Sequence, residues 1–209
     1  MFSYILRQID FANFLTLIGL SISFFSAILA MQGNLYASLI LMMYAGIIDL
    51  FDGFVARRIQ RTELQSQVGK QLDSIVDVCS FGFAPAIFAY CFGLRDTLSI
   101  IVLIFYIGAT ALRLAYFNST GLFKQGSEEY FTGLPVTYAA LFIPLTLTSN
   151  FVLSGFAMRI LVESLYLLLS IAMVANFKML KLSGVWYMLF PFGALILTSV
   201  YSWAIITGR

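Results

Sequence analysis

The sequence contains no histidine among its 209 residues. Histidine is the usual proton shuttle near neutral pH, the base of most catalytic triads and a common zinc ligand. Its absence excludes His-based triads, His proton shuttles and ordinary His-ligated zinc sites. Any chemistry must therefore use carboxylates, hydroxyls, lysine or arginine.

Charge and cysteine are also scarce. Only 11% of the residues are charged, against about 25% in soluble proteins. The net charge of +2 is too small and too dispersed to indicate a nucleic-acid partner. The two cysteines, Cys79 and Cys91, lie in one apolar segment without ligand-like neighbours, so we interpret them as small buried hydrophobic residues. With no internal repeat or low-complexity linker, we expect a single domain over residues 1–209.

Long apolar runs take the place of the missing charge, since 61% of the residues are hydrophobic. A helix needs about 20 apolar residues to cross the hydrocarbon core of a bilayer. Seven segments meet that length: Phe11 to Met31, Leu35 to Ala56, Leu72 to Phe92, Leu98 to Phe117, Phe131 to Ser149, Ala157 to Phe177 and Trp186 to Ile206. They predict an all-α integral membrane protein. Reading the first as a signal peptide ending near Ala30 is disfavoured, because its apolar run exceeds the usual 7 to 15 residues.

Lysine and arginine orient this bundle, because cytoplasmic loops carry the excess positive charge. With the N-terminus inside, nine basic residues fall on the inner side: Arg7, Arg57, Arg58, Arg61, Lys70, Arg113, Lys124, Lys178 and Lys181. Three fall outside: Arg95, Arg159 and Arg209. We therefore expect a multi-pass protein of the cytoplasmic membrane, with the connections after the second and fourth segments in the cytoplasm.

Four aspartates flank the first of these connections. Asp49 and Asp52 are three residues apart and Asp73 and Asp77 four, so each pair lies on one face of its helix. The two helices are consecutive and antiparallel in this topology, so the four carboxylates can converge. Clustered acids in a membrane segment need a cation among them. An all-oxygen ligand set suits Mg²⁺ or Mn²⁺, and two ions would neutralise most of the charge.

Two alternatives stay open for the aspartates. They could be solvated interfacial carboxylates paired with Arg57, Arg58 and Lys70, although such pairing accommodates two acids more easily than four. They could also form the carboxylate relay of an ion or proton transporter. A relay predicts acids spread across the membrane depth, whereas these cluster at one end and Asp96 stands apart.

Small residues and an arginine adjoin the acidic faces. Gly53 directly follows the first aspartate pair, and Gly69 stands one helical turn before the second. Glycine at a helix surface lets a flat ligand or another backbone approach closely, and Ala56 extends the same small surface. Arg57 adds a planar fork suited to phosphate. The pattern favours a pocket for a nucleotide pyrophosphate, with close helix packing as the alternative for each glycine.

The run DLFDGFVAR from Asp49 to Arg57, followed by GKQLDSIVD from Gly69 to Asp77, resembles the signature of the CDP-alcohol phosphatidyltransferase family. That signature is Asp-x-x-Asp-Gly-x-x-Ala-Arg, a spacer, and Gly-x-x-x-Asp-x-x-x-Asp, and all eight of its residues are present. The spacer departs from the pattern, with eleven residues from Arg58 to Val68 where eight are commonest. The pocket tolerates the extra three residues if they bulge into water.

The resemblance implies the reaction, in which a CDP-linked lipid passes its phosphatidyl group directly to an alcohol and releases CMP. It implies six core transmembrane helices, so that the seventh apolar segment is an additional C-terminal helix, and it implies a homodimer. The metal-binding acids would be Asp49, Asp52, Asp73 and Asp77, with Asp77 also the general base. The CDP site would be lined by Asn13, Thr16, Asp49, Gly53, Ala56, Arg57 and Gly69.

Three further motifs resemble the phosphatidylserine synthase branch of the family. They are SFGFAP from Ser80 to Pro85, RLAYFN from Arg113 to Asn118, and GLP from Gly133 to Pro135. L-Serine carries a carboxylate, so its pocket needs a cation, and Arg113 is the candidate with Ser80 and Asn118 as polar neighbours. Alternatively Arg113 anchors the helix or binds the lipid phosphate. Glycerol 3-phosphate and inositol phosphate remain the alternative acceptors.

Overall fold

Helices form most of the chain, and the structure, a computed structural model, describes residues 4–125, 128–153, 155–180 and 186–208. The α-helices are α1 (Phe11–Met31), α2 (Leu35–Ala56), α3 (Glu63–Asp77), α4 (Ala84–Phe92), α5 (Thr97–Thr120), α6 (Ala139–Leu147), α7 (Gly155–Val174) and α8 (Trp186–Thr207). A π-helical segment (Val78–Phe83) joins α3 to α4 without a break, and short 3-10 turns lie at Leu6–Gln8, Val136–Tyr138 and Thr148–Phe151.

Six of the described helical runs are long and apolar enough to span a membrane: Phe11–Met31, Leu35–Ala56, Glu63–Phe92, Thr97–Thr120, Gly155–Val174 and Leu189–Thr207. This confirms the all-α membrane bundle. The remaining predicted segment, Phe131 to Ser149, corresponds to the shorter run Val136–Phe151, about 25 Å long at the usual helical rise. The segment that falls short is therefore the fifth in the chain, and the C-terminal one has full length.

The fifth segment is shorter than predicted because its first residues form a strand. A small antiparallel sheet contains β1 (Phe123–Gln125), β2 (Glu128–Thr132) and β3 (Lys178–Leu180) in that order. Gly133 follows β2 with φ +70°, a conformation that favours glycine, and its N–H donates to the carbonyl of Phe177. The predicted helical start at Phe131 is thus corrected to Val136, because a strand, a bend at Gly133 and the extended Pro135 precede the helical run.

Helix α3 begins earlier than the apolar pattern predicted. Thr62 and Gln65 form a capping box, in which the Thr62 hydroxyl accepts from the Gln65 N–H and the Gln65 side chain accepts from the Thr62 N–H. Residues 63–68, six of the eleven in the spacer, therefore belong to α3. The cap therefore extends the helix over part of the spacer, and residues 58–62 of it lie outside α2 and α3.

The π-helical segment lies directly after Asp77 and contains Ser80. Pro85 has no N–H to close the preceding turn, and the Tyr106 hydroxyl donates to the carbonyl of Phe81 at 2.5 Å. The Tyr166 hydroxyl donates to the carbonyl of Pro85 at 2.6 Å. Both tyrosines are fully buried, so α5 and α7 hold this irregular turn in place.

Replacing Tyr106 by phenylalanine removes one hydrogen bond, which the Tyr106 hydroxyl donates to the carbonyl of Phe81. We expect the free energy of unfolding to fall by about 1–3 kcal/mol, the cost of leaving a buried carbonyl unpaired. Thermal unfolding of the detergent-solubilised variant measures this. Tyr116→Phe is the matched control, because Tyr116 lies on the same helix with 51% of its surface exposed. Equal melting temperatures for the two variants would contradict the capping role.

Candidate active site

Three aspartates meet at one end of the bundle. Asp49 and Asp52 come from the last two turns of α2, and Asp73 comes from α3. One carboxylate oxygen from each lies within 4.8 Å of the others. Asp52 is buried and the other two are half-buried. The helix faces predicted from the spacing therefore do come together across the connection between α2 and α3.

Asp77 lies just outside that group of three. Its side chain is buried and is within hydrogen-bonding reach of the Asp49 carboxyl group. Its Oδ1 atom is buried and has no hydrogen-bond partner in the described part of the chain. Carboxylates this close repel each other unless a cation or a shared proton lies between them. The Oδ1 atom of Asp77 is therefore a free acceptor, which indicates that a cation or another ligand binds beside these acids.

Helix α1 orients one of the acids. The Thr16 hydroxyl donates to Oδ2 of Asp52 at 2.5 Å, and both side chains are buried. A small recess adjoins this contact. Its lining comes from α1, α2, α3 and the π-helical segment and consists of Thr16, Gly19, Ala45, Asp49, Asp52, Val76, Ser80 and Phe81. Thr16 therefore serves Asp52 directly in this structure, besides facing the space beside the acids.

The acid group fits a hard divalent cation. Its donors are all carboxylate oxygens, which are the ligands that Mg²⁺ and Mn²⁺ take in proteins. The free oxygen of Asp77 and the close approach of the other three carboxylates are both explained by a bound cation. Asp49, Asp52 and Asp73 could hold such a metal ion.

Arg61 occupies the space beside Gly69. Its Nε donates to Asp10 at 2.6 Å, and its Nη2 donates to Oδ1 of Asn13 at 2.6 Å and to the carbonyl of Gln65 at 3.1 Å. A Cβ on Gly69 would collide with this guanidinium group and with Asn13. Two residues predicted to line the CDP site, Asn13 and Gly69, are therefore brought together around an arginine that sequence reasoning did not single out.

Arg57 and Gly53 form the other small-residue contact. Arg57 is exposed at the end of α2, and its Nη1 would lie 3.6 Å from a Cβ on Gly53, an ordinary contact distance. The guanidinium group thus folds back over the glycine beside Asp52. Ala56, the last residue of α2, is half-buried next to it.

Arg113 is buried near Asp77, on α5. Its guanidinium carbon lies 5.0 Å from the ring centre of Phe117 and 5.5 Å from that of Phe131, and Asp77 is close enough to interact with it electrostatically. Its Nε and Nη2 atoms are buried without a hydrogen-bond partner among the described residues, as is Oγ of Ser80. A buried cation with unused donors is expected to bind an anion.

Asn118 is placed differently from Arg113. Its side-chain amide donates to the Ser74 hydroxyl at 2.6 Å, and its backbone carbonyl accepts from the Lys70 ammonium group at 3.1 Å. Five positions along a helix turn a side chain by roughly 140°, so Asn118 and Arg113 leave α5 in different directions. Asn118 connects α5 to α3 and is not brought together with Arg113 by the structure.

Two further charged residues were not predicted as part of any site. Arg61 was counted only as an inner-side charge, and its signal was its position in the unusual spacer. Glu163 stands within the membrane-spanning run of α7, and its Oε1 is buried with no partner in the described residues; an acid inside an apolar run was its signal.

At the other end of the bundle Asp96 pairs with Arg159, and the Ser99 hydroxyl that donates to Asp96 lowers the pKa of that acid.

Six long apolar helices around a buried carboxylate group define a multi-pass membrane protein with a candidate metal centre. The model of the CDP-alcohol phosphatidyltransferase family matches residues 9–175 of the sequence. Because that match covers most of the chain, the chain belongs to this family, and it is an enzyme of the CDP-alcohol phosphatidyltransferase type.

Individual relatives agree with the family match. The chain is similar to an archaetidylserine synthase of Methanothermobacter thermautotrophicus, with 32% identity over 173 residues that cover 82% of this chain and 70% of that protein. It is 30% identical over 125 residues to a CDP-diacylglycerol--serine O-phosphatidyltransferase of Bacillus subtilis, covering 57% of this chain and 67% of the relative. An enzyme of the same name from Saccharomyces cerevisiae is 39% identical over 93 residues, covering 42% of this chain and 33% of that protein.

Proposed function

We propose that this protein transfers the phosphatidyl group of CDP-diacylglycerol to L-serine, giving a phosphatidylserine and CMP. The observation that carries the proposal is the buried arrangement of Asp77 and Arg113, an unpartnered acid oxygen beside a cation with unused donors. A hydroxyl and a carboxylate on one small molecule match these two groups. The names of the relatives support serine as the acceptor.

The donor would bind with its diphosphate at the acid group. Asp49, Asp52 and Asp73 would hold two Mg²⁺ or Mn²⁺ ions, with Asp77 touching one of them, and bound cations would neutralise the diphosphate and the departing CMP. The Thr16 hydroxyl, which donates to Oδ2 of Asp52, would hold this acid in place for the cation. Arg57 would donate to a phosphate oxygen from above Gly53. Asn13, Ala56 and Gly69 would line the rest of the CDP site.

The transfer itself needs one proton to move. The serine hydroxyl attacks the phosphorus atom attached to the lipid, the bond from that phosphorus to the CMP oxygen breaks, and the hydroxyl proton passes to Asp77. Its free Oδ1 is the acceptor for this proton, in the role of general base. A direct displacement is favoured over a covalent intermediate, because the two hydroxyls nearest the acids have other roles: Thr16 donates to Asp52, and Ser80 would bind the acceptor.

Serine recognition would rest on Arg113, whose planar fork can bind a carboxylate through two parallel N–H donors. Ser80 would offer its unpartnered hydroxyl from the π-helical segment to the same ligand. Asn118 would contribute indirectly, because its bond to Ser74 holds α5 against α3.

Changing Arg113 to lysine should raise the KM for serine by roughly tenfold to a hundredfold, because lysine keeps the charge and loses the bidentate fork. The KM for the CDP-lipid should stay within about twofold of the wild-type value. Steady-state kinetics with each substrate varied in turn measures both constants. A rise confined to the KM of the CDP-lipid would show that Arg113 binds the lipid phosphate instead.

An acceptor panel tests the proposed reaction. Purified protein is mixed with a CDP-lipid, Mg²⁺ or Mn²⁺, and L-serine, glycerol 3-phosphate or an inositol phosphate, and CMP release is followed. Serine-dependent release supports the proposal, and release with only the other alcohols contradicts it. Because the relatives' names divide between archaetidylserine and phosphatidylserine, the panel uses both isoprenoid and acyl CDP-lipids.

We also propose that the protein lies in the cytoplasmic membrane as a homodimer, with its site facing the cytoplasm. The excess of lysine and arginine on the side of the α2–α3 connection supports this orientation. Family resemblance supports the dimer. Labelling of single introduced cysteines in intact cells tests the orientation, and the mass of the detergent-solubilised protein tests the dimer.

A further inference from the structure

We infer that Arg61, held by Asp10, reads the pyrimidine ring of the nucleotide and makes the site selective for cytosine over uracil. The inference rests on the proposed use of a CDP-lipid. It concerns a residue outside the eight positions of the signature, within the spacer that is longer than is common in the family.

Arg61 is fixed in one orientation from three directions. Asp10, which also caps α1, accepts from its Nε, and Asn13 and the carbonyl of Gln65 accept from its Nη2. The Arg61 side chain is 12% exposed and that of Asp10 is 10% exposed. A clamped guanidinium group loses little conformational freedom when it binds a ligand, which is the condition for selective hydrogen bonding.

The unused donors of Arg61 are those of Nη1. An arginine has five N–H groups, and the three bonds above use the Nε and Nη2 side of the fork. In the described part of the chain Nη1 has no hydrogen-bond partner, and unlike the atoms of Arg113 it is not sealed from solvent. The two N–H groups of Nη1 are therefore free to bind a ligand, while Nη2 of the same guanidinium group fills the space beside Gly69.

The place of Arg61 suits the nucleoside end of the donor. Gly69 lies one turn before Asp73 on α3, so its surface is about 6 Å from the acid group along the helix. Arg61 is still close enough to interact electrostatically with Asp52. With the diphosphate at the acids, the ribose and base extend over that distance, and the base reaches the surface formed by Arg61, Asn13 and Gly69.

Charge distinguishes a base from a phosphate as the partner of Nη1. Asp10 cancels the positive charge of Arg61, so the guanidinium group offers directional donors with little net charge. The Arg61–Asp10 ion pair therefore suits the uncharged edge of a base, which carries hydrogen-bond acceptors, better than it suits a phosphate. The phosphate can bind Arg57 instead, because Arg57 forms no ion pair with an acid among the described residues. Cytosine presents acceptors at N3 and O2, whereas uracil carries an N–H at position 3 that opposes a donor. Arg61 therefore favours cytosine by attraction and disfavours uracil by repulsion.

Binding of CMP and of UMP to the purified full-length protein with Mn²⁺, measured by calorimetry, tests this assignment. Wild-type protein should bind CMP at least tenfold more tightly than UMP. Arg61→Lys keeps the ion pair with Asp10 and loses the outward N–H groups, so CMP affinity should fall about tenfold with UMP affinity nearly unchanged. Arg58→Lys is the matched control on the same connection, since Arg58 lies over the ring of Phe54, and should keep the wild-type ratio.

Each outcome of the titrations decides something. An Arg61→Lys protein that keeps the wild-type CMP to UMP ratio overturns the assignment and leaves Arg61 a purely structural clamp. An equal loss for both nucleotides also overturns it, in favour of phosphate binding. Asp10→Asn, which leaves Arg61 in place, should reduce the ratio as well, and an unchanged ratio would overturn the orienting role of Asp10. Wild-type protein that binds neither nucleotide would overturn the proposed function itself, a result distinct from all of these.

Discussion

Replacing Asp77 by asparagine should lower kcat by about 10²–10⁴-fold, the usual contribution of a general base. Asparagine has nearly the same shape and can still contact Asp49, so the fold and nucleotide binding should persist while the proton acceptor is lost. The reason for choosing Asp77 among four acids is its buried Oδ1, which has no partner in the described residues. Serine-dependent CMP release measures kcat, and CMP titration measures binding.

Asp96→Asn is the matched control for this variant. Asp96 caps α5 at the opposite end of the bundle and pairs with Arg159, so the same chemical change should leave kcat within about twofold of the wild-type value. If Asp77→Asn kept wild-type turnover, Asp77 would not be the base. If it lost CMP binding in proportion to kcat, its role would be that of a metal ligand alone.

Removing divalent cations should abolish turnover, and restoring Mg²⁺ or Mn²⁺ should recover it. Three carboxylates within 4.8 Å would repel a diphosphate in the absence of cations. A readout independent of activity is the melting temperature. Mn²⁺ at 100 times its Kd should stabilise the wild-type protein by about 2.7 kcal/mol, and this gain should vanish in Asp49→Asn.

Glu63→Gln provides the control for the metal titration. Glu63 is an exposed acid in the first turn of α3, on the same side of the bundle as the acid group and outside it. Its loss should leave the Mn²⁺-dependent rise in melting temperature intact. Turnover that is unaffected by a strong chelator, together with a melting temperature that is insensitive to Mn²⁺, would contradict the metal centre.

Sequence patterns were sufficient for most helix positions because membrane insertion depends on local composition. The predicted boundaries of α1 and α2 coincide with those of the structure. The sequence patterns gave the wrong boundary where a short-range signal opposed the apolar run. The bend at Gly133 and the extended Pro135 keep the chain non-helical before α6, and the capping box at Thr62 starts α3 about two turns before its apolar part.

Three properties can be inferred from the amino-acid sequence alone: the chain crosses a membrane, its acids pair on helix faces, and it belongs to the CDP-alcohol phosphatidyltransferase family. These follow from hydrophobic content, from the 3.6-residue period and from residue types at set spacings, all of which are local. Which polar groups meet across the bundle is visible only in the folded protein. Arg61 reaches Asp10 across 51 positions and Tyr106 reaches Phe81 across 25. Such contacts depend on how separate helices pack, and the burial that leaves Arg113 and Asp77 with unused hydrogen-bonding atoms arises only from that packing.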